Sequence, residues 1–112
     1  MTFLDDLRNQ VRAMPDKIKE ASEKVNKAKA NLRQLEAEYN MAIATSYLSA
    51  TGSIHERQAK AEVENAELHN KVLEAKEELD QANTVYEYGE DLFVSLRKEA
   101  SMVEAELKNL NN

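Results

Sequence analysis

Between Ile54 and Leu110 the chain repeats a heptad without interruption. Ile54, Gln58, Ala61, Asn65, Leu68, Val72, Ala75, Leu79, Ala82, Tyr86, Gly89, Phe93, Leu96, Ala100, Val103, Leu107 and Leu110 follow one another at alternating steps of four and three. Such steps lay every member along one stripe of an α-helix, and a stripe with this period winds its helix about a partner. Random sequence does not sustain the pattern for eight heptads. The segment therefore reads as one long helical arm, and it needs a second arm to cover its seam.

The second arm lies just upstream, because Thr51-Gly52-Ser53-Ile54-His55-Glu56 holds a helix stop and a helix start with almost nothing between them. Gly52 can take the left-handed backbone that ends a helix without a Cβ penalty. Ser53 followed by Glu56 is a capping box, in which hydroxyl and carboxylate each accept from a backbone N–H that the first turn leaves free. A link this short makes its two helices antiparallel neighbours. The turn is structural, with no chemistry of its own. The predicted fold is all-α: an antiparallel hairpin of long helices, coiled-coil in type, forming a single domain over 1–112. Its first arm covers 16–50, the turn 51–53 and the second arm 53–110.

Residues 2–14 form a short amphipathic segment with Leu4, Leu7, Val11 and Met14 on one stripe and Thr2 as a candidate cap. Pro15 removes a hydrogen bond and biases Met14 away from helical angles, which predicts a kink or a break. The apolar register nevertheless runs on through Ile18, Ala21, Val25, Ala28, Leu32, Leu35 and Tyr39, so a helix bent at the proline is favoured over a separate one. Were the helix to stop there, the carboxy-terminal third of the second arm would need other helices to cover it. Nearer the turn small residues crowd both arms, with Gln58 and Asn65 at seam positions where polar side chains fix register.

Composition extends this picture to assembly. With 32% charged residues, 5% aromatic residues and no Trp, few large groups remain for a globular core. Burial must come from a long seam or from other subunits. In the last third Val85, Tyr88, Leu92 and Met102 flank the seam and broaden the apolar face beyond what one partner helix covers. A homo-oligomeric helical assembly is expected, with Val85, Tyr86, Tyr88, Gly89, Leu92, Phe93, Leu96, Val103 and Leu107 as its interface and Gly89 allowing close approach between subunits.

Several function classes drop out. No cysteine is present, so there is no disulfide framework or thiolate site. No apolar run is long enough to span a bilayer, and Asp5 and Asp6 are unlike the basic start of a signal peptide. A cytoplasmic protein without a membrane role is expected. His55 and His69, two heptads apart, are separated by about 20 Å of helix and cannot share a metal ion. Glu74, Glu77, Glu78, Asp80, Glu87, Glu90 and Asp91 spread around a solvated helix with no nucleophile or pocket-forming loop beside them. No phosphate loop, glycine fingerprint or zinc spacing occurs. The expectation is a protein that is not an enzyme, with no catalytic residue, metal, cofactor or small-molecule substrate.

Charge points to a different candidate. The net charge is −6, but residues 1–50 carry eight Lys or Arg against seven Asp or Glu, and residues 51–112 carry seven against fourteen. Lys17, Lys19, Lys24, Lys27, Lys29 and Arg33 make a locally basic run on the first arm. On the heptad assignment Lys19, Lys27 and Arg33 point away from the seam, where they could follow a phosphate backbone. The competing explanation is an ordinary solvated face, with Glu20, Glu23 and Glu36 within pairing distance along the helix. Without aromatic residues among the lysines, any such binding would be to backbone charge and not to bases. Repetition of the stripe around a ring of subunits would add avidity.

In the second arm Ser53, Glu56-Arg57, Lys60-Ala61, a long Ala and Leu helix, an aromatic at Tyr86 or Tyr88, and Leu92 followed by Ser95-Leu96-Arg97 resemble the small phage recombination mediators of the UvsY type. The resemblance implies a helical, ring-forming protein that binds single-stranded DNA and helps load a RecA-like recombinase in place of a single-strand binding protein. By position it carries over Arg57, Lys60 and Arg97 alone. The family's basic stretch before the long final helix has no counterpart here, since Asn40 to Thr51 contains no Lys or Arg. The run from Lys17 to Arg33 could substitute for it, on charge alone. The other candidate function, which composition favours, is a coiled-coil adaptor, phage scaffold or prefoldin-like assembly protein with no nucleic-acid role.

Overall fold

The computed structural model describes residues 2–111. It consists of three helices, α1 (Phe3–Ser49), α2 (Ile54–Glu64) and α3 (Ala66–Asn111), and no strand occurs among the described residues.

Local chemistry explains the start of α1 and the turn from α1 into α2. Thr2 caps α1: its hydroxyl accepts from the Asp5 amide at 3.2 Å, and its own amide donates to the Asp5 carboxylate at 3.4 Å. That reciprocal pair satisfies two donors the first turn cannot use. Pro15 lies inside α1, which continues past it to Ser49. The proline is exposed, so the Val11 carbonyl that it cannot serve is free to turn to water. Gly52 has φ +111°, a conformation that side chains other than glycine rarely adopt. Ser53 then starts α2, its hydroxyl accepting from the Glu56 amide at 3.2 Å, and the Glu56 side chain folds back over Gly52.

The second arm has one interruption. Asn65, at φ −111° and ψ 20°, ends α2, and α3 begins one residue later. Its side-chain amide donates to the Ser46 hydroxyl at 2.9 Å, the Ala61 carbonyl at 2.9 Å and the Ala42 carbonyl at 3.5 Å. The heptad stripe also shifts here. Ile54 and Gln58 are exposed, and Arg57 turns inward in their place, ahead of Ala61 and Asn65. Two successive steps of four locally unwind a coiled-coil seam, and the bend at Asn65 absorbs that change.

Contacts divide the chain into two compact units, one of Met1–Val25 with Ala82–Asn112 and one of Asn26–Gln81. In the first, the terminal unit, Leu7, Met14 and Leu96 form a buried cluster. Val11, Ile18, Leu92, Phe93, Ala100 and Val103 pack against it. The helices run antiparallel, as the Arg8–Glu104 ion pair (2.6 Å) and the approach of Ile18 to Gly89 show. In the second, the turn unit, the buried apolar residues are smaller: Ala50, Ala61, Val72 and Ala75. The Tyr39 and His69 rings meet there at 5.2 Å with their planes tilted by 42°.

Candidate nucleic-acid interface and association surface

Helical periodicity decides which cations reach solvent. In the terminal unit Lys17, Lys19 and Lys24 are exposed, and in the turn unit Lys27, Lys29, Arg33 and Lys60 are exposed. Among the described residues none of these seven is ion-paired with a carboxylate. Glu20, Glu23 and Glu36 do not close on them, and Arg8–Glu104 is the pair that forms.

Arg57 behaves differently. It is half-buried, its guanidinium lies 5.8 Å from the centre of the Tyr47 ring, and its Nε is enclosed with no hydrogen-bond partner among the described residues. A cation over an aromatic face is attracted by the ring quadrupole, and an enclosed donor is costly to leave unmade. Tyr47, by its spacing a residue of the apolar stripe with Ile43 and Ala50, is the partner the sequence offers Arg57, since in a hairpin turning at Gly52 the two residues lie equally far from the turn. Tyr47 also walls an open groove with Asn40, Ile43, Leu48, Gln58 and Glu62. Arg97 is exposed in the terminal unit, with its guanidinium 5.5 Å from the Phe93 ring centre.

The residues expected at a subunit interface fall into two groups. Leu96 is 8% exposed within the terminal unit's core, and Leu92, Phe93 and Val103 pack against that core. Gly89 faces Ile18 of the same chain. These are covered because α1 passes Pro15 and brings Leu7, Val11 and Met14 onto α3. Val85, Tyr88 and Leu107 are exposed. Tyr86 is half-buried, and its phenol is held above its usual range, first by the negative charge of Glu90, then by their hydrogen bond, and last by burial.

The remaining candidates lie apart. His55 is exposed and His69 rests beside Tyr39. Among the described residues no group of three or more His, Asp or Glu could hold a metal ion. No helix among them is long and apolar enough to cross a membrane. No protein-family model, curated protein or solved structure matches the chain.

Proposed function

We propose that this chain is a recombination mediator of the UvsY kind, a homo-oligomeric helical protein that binds single-stranded DNA through backbone charge and assists a RecA-like recombinase. One observation carries the proposal: Lys17, Lys19, Lys24, Lys27, Lys29 and Arg33 face solvent without a carboxylate partner among the described residues. Unpaired cations are the ones whose binding to phosphate releases counterions without first breaking a protein ion pair. The resemblance of the second arm supplies the recombinase. With a net charge of −6, binding is weak per subunit and gains strength from repetition in an assembly.

The test is fluorescence anisotropy of a labelled single-stranded oligonucleotide at low and near-physiological salt. Binding should weaken steeply with salt, and replacing Lys19, Lys27 and Arg33 with Glu should weaken it at least about tenfold with helicity unchanged. Binding that survives the triple change excludes this run of residues.

A second function is favoured by a different observation. Leu48 (79% exposed) and Ile54 (65%) flank the turn, and Met41 (73%) lies two turns before Leu48 on the same face of α1. Apolar side chains gathered into one exposed patch mark a surface that binds other proteins, and a patch around the turn suits an adaptor, scaffold or prefoldin-like assembly protein. Absence of DNA binding even at low salt would favour it.

A further inference from the structure

On α3 the residues Glu87, Asp91, Val94, Lys98 and Ser101 follow one another at steps of four and three, so they share one face, and all are exposed. The face is turned away from the seam residues Tyr86, Phe93 and Ala100. Its charge is ordered. Glu87, Glu90 and Asp91 precede Val94, and Arg97 and Lys98 follow it. No Lys or Arg occurs between Asn83 and Ser95, and no carboxylate lies three or four residues from Arg97 or Lys98. Local pairing along the helix therefore cannot neutralise either block.

Val94, 51% exposed, stands where two open grooves meet. One is walled by Ile18, Phe93 and the three carboxylates, the other by Arg97, Lys98, Ser101 and Met102. A face that is negative on one side of an apolar centre and positive on the other is complementary to itself when reversed. With Val94 on a two-fold axis, Asp91 of one copy meets Lys98 of the other on one side of the axis, and Glu90 meets Arg97 on the other. This is the reciprocal matching that an isologous interface requires. A parallel pairing would set carboxylate against carboxylate. A foreign partner would need only one sign of charge, so the ordered pair of blocks points to a second copy.

We propose that two copies of this chain associate antiparallel through α3 about a two-fold axis at Val94. The interface is distinct from the broad stripe containing Val85 and Tyr88, and it does not depend on whether DNA is bound. Exposed charges contribute to it, so the association weakens as salt rises.

The chain has no cysteine, which makes engineered cross-links unambiguous. Under mild oxidation of the full-length protein, Val94→Cys should form a covalent dimer. Asp91→Cys alone should not, because antiparallel copies offset its two positions by about 9 Å along the helix. Asp91→Cys mixed with Lys98→Cys should cross-link, because the two positions share one side of the axis. In sedimentation at low salt, the double variant Glu90→Lys with Asp91→Lys should self-associate at least about tenfold more weakly, and so should Arg97→Glu with Lys98→Glu. Mixing the two double variants should restore the dimer. All the altered residues are exposed, and circular dichroism checks that helicity is retained. Failure of Val94→Cys to cross-link, self-linking of Asp91→Cys, or a mass insensitive to the charge reversals would overturn the proposal.

Discussion

The two units solve the same problem, holding two antiparallel helices together, with different materials. The terminal unit uses bulk: Leu7, Met14 and Leu96 are buried, and Val11, Ile18, Leu92 and Phe93 pack around them. The turn unit buries Ala50, Ala61, Val72 and Ala75 and adds a polar pin, Asn65, bonded across to Ser46 and Ala42. Large side chains supply more transfer free energy but tolerate sliding, whereas an amide between specific acceptors supplies little net energy and admits one register. Adhesion and alignment are thus separated along the chain.

The sharpest way to break this contrast is to remove bulk. Leu96→Ala should lower stability by about 3 kcal/mol through lost burial and a residual cavity, whereas Val72→Ala should cost about 1–2 kcal/mol. Chemical unfolding measures both, and equal losses would mean that the terminal unit's larger side chains contribute no extra adhesion.

Removing the pin comes next. Asn65→Ala should cost about 1–2 kcal/mol, since it takes the donor away from the Ser46 hydroxyl and the Ala42 carbonyl. Asn65→Leu should recover that stability while loosening alignment, which would appear as faster amide exchange over residues 42–46. Unchanged exchange would show that the turn alone sets the register. The turn itself is tested by Gly52→Ala, which should cost about 1 kcal/mol because its φ of +111° disfavours a side chain and a Cβ would press on Glu56.

These sites also show which parts of the molecule could be read from sequence. The turn was legible because Gly52 and the Ser53 hydroxyl act on their own backbone, and the seam was legible because helical period is local. Passage of α1 through Pro15 was not decided by sequence, since a proline's effect depends on whether the bereft carbonyl meets water and whether Leu7 and Met14 find α3 to pack on. That same continuation buries Leu96 within the chain and packs the half-buried Phe93 and Val103 beside it, although their pattern suits a subunit interface equally well. Gln58 and Arg57 exchange expected places because a four-four step near a helix end is set by what lies opposite, here Tyr47. For the basic run, residue types gave its location. Whether Glu20, Glu23 or Glu36 would pair with it depends on side-chain conformations that spacing does not specify.

The smallest expected effect falls on Gly89, where the sequence predicts a close approach between subunits. Within the chain there is room: a Cβ at this position would lie 3.7 Å from the Ile18 side chain, an ordinary contact. Inside a helix, alanine is favoured over glycine because less backbone entropy is lost on folding. If α1 is the sole neighbour of this position, Gly89→Ala should raise stability by about 0.5–1 kcal/mol and leave the mass in solution unchanged. A loss of stability or a smaller assembly would instead mean that another helix closes on the glycine from outside, and adhesion in the terminal unit would then include a second subunit.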